Sequence, residues 1–437
     1  MGPGGRAAPL ASVPTVTTPD EDRDARGAPL GDLTVRAERM VAGGEALARR
    51  PDGRIVLVAG ALPGETVAVD APVRRAGADR ATVVAVVEAS ANRIAPPCPR
   101  RTEGCGGCDW QHLAPAAQLP EKVGIVVDAL RRTGRLGEPD VRLGASVPAE
   151  GYRTTVRLVG TDDGVAGYRR ERSHDTVSAE GCLVAHPRLG EVIPQLRPAP
   201  GLEVTLRCSA ATGEMVALWR DDRGHLDGVP PAVRVGTRAG FTEVVHHGPT
   251  ARDDTGRTSL HVSAGSFFQS GPAAAALLVD AVATAAPELA EARHVVDLYG
   301  GVGLFAASVV PPTAAVTLVE SNRSATGDAV RNLPDATVVR GDAGRWRPAS
   351  GAPPVDVVVA DPPRAGLGRA GTDAVVSAGA ATVVLVSCDP VTAARDAALL
   401  REHGYVHDHV VVLDLFPGTH HVETVTRFTR ARRTGRR

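Results

Sequence analysis

Two residues near the carboxyl-terminal end of the sequence combine a nucleophile with a base. Cys388 follows the apolar run 382–386 through Ser387, and Glu423 stands between the loop 417–422 and the predicted strand 424–428. A lone cysteine at the end of a buried strand is most often a small packed side chain. A thiol paired with a carboxylate at a ligand-binding sheet edge is instead suited to covalent catalysis, in which the thiolate adds to a carbon and the carboxylate removes a proton.

A glycine-rich segment with acidic residues around it predicts a cofactor site. Residues 297–305, Asp-Leu-Tyr-Gly-Gly-Val-Gly-Leu-Phe, end an apolar run and open a predicted helix, where glycines let the backbone approach a ligand. A dinucleotide is the rival ligand of such a loop. Three acids on successive strand ends favour S-adenosylmethionine: Asp297 for its cationic amino-acid end, Glu320 for the ribose hydroxyls and Asp342 for the adenine amino group. The candidate residues within the loop itself are Asp297, Tyr299, Gly301 and Gly303.

Four cysteines are spaced as a ligand set. Cys98, Cys105 and Cys108 fall within eleven residues, and Cys182 follows in a second loop. Such sets hold zinc or an iron–sulfur cluster, and the spacing alone does not decide between them. Cys208 lies inside a β-rich run and is predicted to be a packed core residue.

The pattern of apolar runs predicts the elements that carry these residues. From His261 onward, near-continuous apolar runs at 294–298, 315–320, 355–360 and 382–386 alternate with Ala-rich helical stretches. Such runs are typical of a parallel sheet covered on both faces. Because ligands of open α/β sheets bind outside the carboxyl ends of the strands, we expect a class I methyltransferase (Rossmann-like) domain at 263–430, with Cys388 facing the cofactor.

The thiol explains which methyl acceptor suits this domain. The C5 carbon of uracil is too weak a nucleophile to attack a sulfonium methyl group, and a thiolate that adds at C6 converts the ring to an enolate whose C5 is reactive. A base must then remove the C5 proton before the thiolate leaves. Enzymes that methylate amino groups need neither a nucleophilic thiol nor a base that removes a proton from carbon. The presence of Cys388 and Glu423 therefore favours methylation of a carbon.

The residues upstream predict two further domains. Short β runs at 54–58, 66–69 and 81–87, separated by turns, favour a small OB-like barrel at 32–92. A central β-rich domain with the cysteine loop is expected at 93–262, and within it helical spacing predicts a helix over 115–133.

Composition sets the remaining boundaries. The net charge is −1, so the chain as a whole shows no excess of positive charge for a nucleic acid, and Lys122 is its only lysine. Residues 1–31 are predicted to be a disordered tail without a signal peptide, and residues 431–437 a basic tail. No apolar run approaches a membrane span, so we expect a cytoplasmic protein with no membrane association and no obligate protein partner.

The motifs together resemble those of a known family. Ser-Phe-Phe-Gln at 266–269, the glycine loop, Asp-Pro-Pro-Arg-Ala-Gly at 361–366, Ser-Cys-Asp-Pro at 387–390 and Thr-His-His-Val-Glu at 419–423 occur in the order found in RNA uridine-C5 methyltransferases, which include tRNA and 23S rRNA enzymes. The resemblance covers about residues 30–430. It implies that Cys388 is the nucleophile, Glu423 the base and Gln269 a cofactor contact, and that Asp361 holds the uracil or the cofactor. Two positions depart from the pattern, since Gly271 and Asp389 stand where the family often has Asn.

The resemblance also implies partners and a second cofactor. The barrel, with Gly-Ala-Leu-Pro-Gly-Glu at 60–65, resembles a TRAM domain, and a subset of the family carries a [4Fe–4S] cluster on cysteines spaced like these, which favours a cluster over zinc. Because barrel and cluster both occur in rRNA enzymes of the family, 23S rRNA is the expected RNA before tRNA. The alternatives are a tRNA uridine-C5 methyltransferase, a non-catalytic RNA-binding or folding factor, and a methyltransferase of small heteroaromatic molecules.

Contacts to RNA are predicted for two kinds of side chain. A flipped base favours an aromatic surface, for which Trp110 and Phe267 are the candidates, each with packing in the core as the alternative. Arginines at 153, 169, 170 and 172 are the candidate phosphate contacts.

Overall fold

The computed structural model describes residues 33–430 apart from residues 76, 172, 221, 222, 238, 251 and 253. The predicted tails at 1–31 and 431–437, and Arg172, lie outside the described residues. Over the part of the chain that is described, the helices fall short of the length and apolarity that a bilayer span requires.

The first strands close into a barrel, which agrees with the OB-like barrel expected in this part of the chain. Its strands are β1 Leu33–Met40, β2 Ala46–Arg49, β3 Ile55–Ala59, β4 Thr66–Val69, β5 Val73–Arg75 and β6 Ala78–Glu88. Within residues 33–88 except 76, the order β3-β2-β1-β4-β6 is closed by a parallel β3–β6 pairing, and β5 extends one edge. Alternate residues of the strands face the barrel core, as a half-buried strand requires.

Glu65 holds the turn at 60–65 through contacts of its buried carboxylate. Glu65 is fully buried, and its carboxylate accepts the Leu62 N–H at 2.8 Å and pairs with Arg93 at 2.5 Å. Gly64 has φ +85°, a conformation that glycine adopts without strain. The motif therefore ties the barrel to the segment that leads to the cysteine loop.

The next segment belongs to a different layer from the one expected. After the short helix α1 Pro99–Thr102, helix α2 Pro115–Arg132 confirms the helix predicted at 115–133, and β7 Val141–Ser146 follows. Val126 and Leu130 of α2 pack with Val383 and Leu400 in one core, and β7 pairs in parallel with a late strand. The assignment of these residues to the central domain is thus corrected, because the apolar face of α2 covers the carboxyl-terminal sheet.

The central domain is a smaller sheet with its own core. Its strands are β8 Thr155–Gly160, β9 Ala166–Arg169, β10 Thr176–Ser178, β11 Arg197–Pro198, β12 Glu203–Cys208, β13 Met215–Leu218, β14 Leu226–Asp227 and β15 Val233–Val235, with helix α3 Pro187–Val192 and a 3-10 turn at Ile193–Gln195. In the described residues, one sheet has the order β10-β9-β8-β12-β13-β15. Cys208 is completely buried in its core, which confirms the packing role predicted for it.

The boundary predicted at residue 262 also needs correction. Strands β16 Gly240–His246 and β17 Arg257–Ser263 form an antiparallel hairpin. Phe241 and Leu260 of this hairpin pack with Leu278 and Phe305 of the carboxyl-terminal domain. Alternation along the hairpin predicts strands but does not reveal which layer their apolar face covers.

The carboxyl-terminal domain is a mixed sheet between helices, which confirms the α/β class I methyltransferase fold. Its strands are β18 His294–Leu298, β19 Ala315–Glu320, β20 Thr337–Arg340, β21 Val357–Ala360, β22 Thr382–Ser387, β23 Tyr405–Asp414 and β24 Glu423–Arg430. Its helices are α4 Pro272–Ala285, α5 Leu304–Val309, α6 Arg323–Asn332, α7 Gly368–Ala378 and α8 Pro390–Glu402, with 3-10 turns at Pro287–Glu291 and Ala343–Arg345. Over the described chain, the order is β20-β19-β18-β21-β22-β24-β23-β7, and β18 to β22 run parallel. The strand order reverses between β18 and β21, where α/β sheets bind ligands.

Candidate active site

A cavity of about 880 Å³ opens at the point where the strand order reverses. Most residues predicted for the cofactor and for catalysis line it: Gln269, Tyr299, Gly301, Glu320, Asp342, Asp361, Cys388 and Glu423. Asp297 and Gly303 do not line it. The parallel strands deliver these side chains to one edge because their carboxyl ends meet there.

The glycine loop connects β18 to α5 in a conformation that few residues tolerate. Tyr299 has φ +61° and Gly301 φ +56°, and Tyr299 is one of two non-glycine residues with positive φ in the described chain. A bulky residue in this region is strained, and such strain concentrates at functional sites. A Cβ at Gly301 would meet no atom within 4 Å, whereas a Cβ at Gly303 would lie 2.7 Å from Leu333. Gly301 thus faces open space, and Gly303 is required by packing behind the loop.

Two acids hold the loops beside the cavity. The Glu320 carboxylate accepts the Asn322 N–H at 2.6 Å and the Gly301 N–H at 3.1 Å, so it links β19 to the glycine loop. Asp342 begins a 3-10 turn and accepts the Gly344 N–H at 2.9 Å. Both carboxylates retain acceptor positions toward the cavity, since each oxygen has two lone pairs.

Asp297 occupies a different position from the one expected. It is only 1% exposed, lies beneath the loop with its Cγ 3.0 Å from a Cβ position on Gly300, and within the described residues neither carboxylate oxygen has a hydrogen-bond partner of full geometry. Burial raises its pKa to about 8, the charges of Asp361 and Glu320 add to the rise, and the Ala306 N–H opposes it. Asp297 therefore does not line the cavity and is not in direct contact with a ligand there.

Gln269 and Asp361 meet across the cavity. Gln269, which precedes α4, donates from Nε2 to Asp361 Oδ2 at 3.4 Å. Asp361 follows β21, and burial raises its pKa while the hydrogen bond from Gln269 lowers it. The structure thus brings together the two residues that the Ser-Phe-Phe-Gln and Asp-Pro-Pro-Arg motifs contribute.

Cys388 and Glu423 face each other from neighbouring strands. β22 pairs antiparallel with β24, with Ser387 opposite Thr424, so Cys388 follows the last paired residue of one strand where Glu423 begins the other. Both line the cavity that the glycine loop lines, and the thiol is partly exposed to it. Burial, together with the charges of Glu423 and Asp361, raises the pKa of Cys388 to about 11. Burial raises the pKa of Glu423 well above its ordinary value, and the Asp361 charge acts in the same direction.

Arg364 and His421 also line the cavity, but they are not among the site residues predicted from the sequence. Arg364 lines the cavity, and its positive charge lowers the pKa of both Cys388 and Glu423. Its NH2 lies 3.4 Å from Nε2 of His421, whose pKa is lowered to about 4 by burial and then by neighbouring cations. The signal was present in both motifs, because Arg364 lies three residues after Asp361 and His421 two residues before Glu423.

The two departures from the family pattern have local explanations. A Cβ at Gly271 would lie 2.2 Å from the Tyr152 carbonyl oxygen, so the close approach of two segments requires glycine there. Asp389 caps α8 by accepting the Val391 and Thr392 N–H groups at 3.0 and 2.8 Å. Neither residue lines the cavity.

The four cysteines of the predicted ligand set share a second cavity. Cys98, Cys105, Cys108 and Cys182 all line a space of about 610 Å³ beside the first. Burial, together with the other three cysteines, raises the pKa of Cys108 to about 12, and the charge of Arg153 opposes the rise. In the part of the chain described here, however, no group of three or more His, Cys, Asp or Glu side chains is placed to hold a metal ion.

The residues predicted to contact RNA have different surroundings in the structure. Trp110 is fully buried in the barrel core and donates from Nε1 to the Gly44 carbonyl at 3.0 Å, so the stacking role expected for it is wrong. Phe267 is 70% exposed and lines both cavities. Arg153 also lines both, whereas Arg169 and Arg170 lie outside them and donate to the carbonyls of His174 and Thr176.

Comparison with known proteins places this geometry in a family. A family model described as tRNA (Uracil-5-)-methyltransferase matches residues 354–431. An uncharacterized RNA methyltransferase of Streptomyces avermitilis is 36% identical over 88% of this chain and 94% of its own length. The 23S rRNA (uracil(1939)-C(5))-methyltransferase RlmD of Halomonas elongata is 33% identical over 87% of this chain and 86% of its own length.

A solved structure shares the fold. The tRNA (uracil-54, C5)-methyltransferase of Pyrococcus abyssi, in complex with S-adenosyl-L-homocysteine, aligns with a TM-score of 0.66 and 24% identity over 90% of this chain and 99% of its own. The two relatives at 36% and 33% identity are similar to this chain over 88% and 87% of its length, which is more than a shared fold alone requires. The chain belongs to the RNA uracil-C5 methyltransferase family.

Proposed function

We propose that this protein transfers a methyl group from S-adenosylmethionine to C5 of a uridine in RNA through a covalent bond between Cys388 and C6 of the base. The observation that carries the proposal is the antiparallel pairing of β22 and β24, which places the Cys388 thiol and the Glu423 carboxylate together in the cavity lined by the glycine loop. A nucleophile and a base in one ligand-binding cavity are the arrangement that covalent activation of C5 requires.

The reaction follows from the two side chains. The Cys388 thiolate forms a bond to C6, and the electrons of the C5–C6 double bond move toward the C4 carbonyl to give an enolate. S-adenosylmethionine, when bound, supplies the electrophilic methyl group that C5 attacks. Glu423 then takes the C5 proton, the C5–C6 double bond re-forms, and the bond from C6 to sulfur breaks, so the thiolate is released with the methylated base.

The charges in the cavity govern when the thiol reacts. Cys388 and Glu423 both have raised pKa values from burial, so both favour their protonated forms in the ligand-free protein. Arg364 opposes this trend at both residues. The cation therefore favours the thiolate that attacks and the carboxylate that accepts the proton.

The residues around the first cavity fit the proposed cofactor. Gly301 faces open space, and the carboxylates of Glu320 and Asp342 line the cavity on neighbouring strand ends. Gln269 and Asp361 also line the cavity, and the charge of Asp361 acts on Cys388. We assign binding of the ribose hydroxyls to Glu320 and binding of the adenine amino group to Asp342. The backbone of Tyr299 and Gly301 would lie beside the ligand. The carboxyl of Asp297 lies beneath the loop and does not line the cavity.

The covalent step has a direct test. RNA that contains 5-fluorouridine has no proton at C5 that Glu423 can remove, so a stable protein–RNA adduct is expected for the wild-type protein. Cys388→Ala should give neither the adduct nor methyl transfer from labelled S-adenosylmethionine. Cys208→Ala is the matched control, because Cys208 lies in the core of the central domain and outside both cavities. An adduct with Cys388→Ala would disprove the mechanism.

We infer that 23S rRNA is the substrate before tRNA, with the amino-terminal barrel acting as a TRAM domain. The support is the full-length similarity to a 23S rRNA enzyme at 33% identity, together with a closed five-stranded barrel in residues 33–88 except 76. Methyl transfer to purified 23S rRNA and to purified tRNA, both from cells that lack this protein, distinguishes the two. Labelling of tRNA alone would reverse the assignment.

We infer further that Cys98, Cys105, Cys108 and Cys182 hold a [4Fe–4S] cluster. The support is that all four side chains line one cavity, although none of the reaction steps depends on the cluster. Protein purified without oxygen should contain iron and sulfide, and Cys105→Ser should reduce both. Cys208→Ser should retain both, and an iron-free wild-type protein would contradict the inference.

A further inference from the structure

The second cavity extends well beyond the four cysteines. It has a volume of about 610 Å³, within the range of small-ligand sites. Several residues line both this cavity and the catalytic one: Arg153, Arg157, Phe267, Phe268, Gln269, Asn322 and Phe416. Residues 267–269 therefore form a wall between two adjoining spaces, and a ligand that enters one space lies beside the other.

The floor of the second cavity is one face of the central sheet. Thr155 and Arg157 of β8 pair in register with Arg207 and Thr205 of β12, and all four line the cavity. The residues that alternate with them, such as Leu158, pack into the core on the opposite face. The alternation of the strands thus turns a polar and basic face toward the cavity.

Arg157 differs from the other arginines of this cavity. It is exposed, and within the described residues no carboxylate or carbonyl group holds its guanidinium. Arg101 pairs with Glu171 at 2.6 Å, and Arg207 donates to the Ser266 carbonyl at 2.6 Å. A cation without a partner in a concave site is suited to bind an anionic group of a ligand.

Arg153 supplies a second, fixed cation on the same side. Its guanidinium lies 5.8 Å from the ring centre of Tyr152 and 5.5 Å from that of Phe416, and Nε donates to the Tyr152 hydroxyl at 3.4 Å. Since Arg153 lines both cavities, its charge acts at the passage between them. The passage is thus electropositive and suits a chain of phosphates.

Phe267 offers a surface for a base at the same passage. It is 70% exposed, whereas its neighbour Phe268 is 7% exposed. An exposed aromatic ring beside cationic groups is the combination with which proteins bind single-stranded nucleic acid, by stacking and by phosphate contacts. The ring lines both cavities, so a base on its far side would not occupy the position of the target uracil.

We propose that the second cavity binds a nucleotide that adjoins the target uridine in the RNA, with its base on Phe267 and its phosphate on Arg157. The proposal rests on the proposed function, because RNA enters the passage only if the catalytic cavity takes a flipped uridine. A flipped nucleotide carries its flanking phosphates to the mouth of the site, where Arg157 stands. The site would therefore select single-stranded or unpaired sequence around the target.

The test measures RNA binding and its dependence on salt. The probe is a short single-stranded oligouridine, added to the full chain in the presence of S-adenosyl-L-homocysteine, with fluorescence anisotropy as the readout. Arg157→Ala should weaken binding roughly tenfold and reduce the slope of log K against log salt by about 0.7, the change expected for one lost phosphate contact. Arg157→Lys should restore the slope, because it restores the charge.

Two further variants separate stacking and general charge from this contact. Phe267→Leu should weaken binding without changing the slope, since it removes a ring and no charge. Arg142→Ala is the matched control, because Arg142 is 53% exposed, pairs with Asp140 and lies outside both cavities. A slope for Arg157→Ala equal to that of the wild type, or an equal loss in Arg142→Ala, would overturn the proposal. Unchanged thermal unfolding of Arg157→Ala establishes that the variant is folded.

The outcome is separable from that of the proposed function. If the wild-type protein methylates no RNA but the salt slope still depends on Arg157, the proposed function fails and the nucleotide site stands. If the wild-type protein methylates RNA and the slope is insensitive to Arg157, the enzyme stands and the nucleotide site fails.

Discussion

Lys122 and Asp414 form an ion pair that is shielded from solvent, with Nζ 2.6 Å from Oδ1 and side chains 0% and 2% exposed. Lys122 also donates to the Phe416 carbonyl at 3.3 Å, and Asp414 accepts the Phe416 N–H at 3.0 Å. The pair joins α2 to the end of β23, where the loop that leads to Glu423 begins. A helix far away in the sequence therefore positions the segment that carries Glu423, the proposed base.

The same loop is held at two further points. The Gly418 N–H donates to Gln118 Oε1 at 2.6 Å, and Nδ1 of His420 lies 2.7 Å from Asp109 Oδ2. Asp109 directly follows Cys108, so the cysteine loop and the catalytic loop are connected by side chains. This connection gives the cysteine loop a mechanical role in placing Glu423.

Replacement of Lys122 by methionine should destabilise the protein strongly. Lys122→Met leaves the buried Asp414 charge without a partner, and breaking a buried pair in this way costs about 3–5 kcal/mol. Arg132→Ala is the control on the same helix: Arg132 is 65% exposed beside Asp128, and exposed pairs contribute at most about 1 kcal/mol. Urea unfolding of both variants measures the difference, and equal losses would show that the buried pair has no special weight.

Replacement of Glu423 by glutamine should stop the reaction after methyl transfer. Without the carboxylate the C5 proton stays in place, so the bond between Cys388 and C6 cannot break and a methylated adduct accumulates. Denaturing gels of protein incubated with ordinary RNA and labelled S-adenosylmethionine should show label that migrates with the protein. The double variant Cys388→Ala/Glu423→Gln should show none. Full turnover by Glu423→Gln would identify a different base.

Replacement of Asp297 by asparagine should stabilise the ligand-free protein as the pH rises. The ordinary pKa of 3.8 is raised to about 8 in the folded protein, so the folded state holds a proton that the unfolded state has lost between these values. The wild-type protein therefore loses stability from about pH 4 to about pH 8, whereas the asparagine side chain has no such proton. The difference in Tm should grow through this window and level off above it. A difference that is independent of pH would contradict the assigned burial of the charge.

Replacement of Arg364 by glutamine should slow methylation by the same factor at every pH from 6 to 9. Both reactive forms, the Cys388 thiolate and the Glu423 carboxylate, are deprotonated, and Arg364 lowers the pKa of each. Since burial raises the pKa of Cys388 to about 11, kcat/KM of the wild type should rise steadily from pH 6 to pH 9. The deficit of Arg364→Gln should stay constant over the same range, because the pKa of the thiol lies above this range with or without Arg364. The exposed Arg331→Gln should match the wild type throughout. A deficit that shrinks or grows between pH 6 and pH 9 would assign Arg364 a role other than lowering the pKa of Cys388.

The order of motifs in the sequence predicts which side chains meet at the edge of the sheet that borders the cavity. Cys388, Glu320 and Asp361 were identified because each ends an apolar run, and the carboxyl ends of parallel strands must meet at one edge of a sheet. Glu423 begins the strand that lies antiparallel to the strand before Cys388, and so reaches the same edge from the opposite direction. These features depend on local periodicity, which a sequence displays directly.

Other features were decided by contacts between distant segments. Strand β7, which follows α2, pairs with β23, so α2 belongs with the carboxyl-terminal sheet and not with the central domain. Trp110, which the sequence alone leaves as a candidate for base stacking, lies in the barrel core. The burial of Asp297 beneath the glycine loop and the freedom of Arg157 depend equally on which surfaces meet. By itself the sequence determined which residues stand at the ends of the strands, because alternation and apolar runs are properties of neighbouring residues. The tertiary structure alone decided which of those side chains face a cavity, because burial and charge depend on atoms that the chain brings together only when it folds.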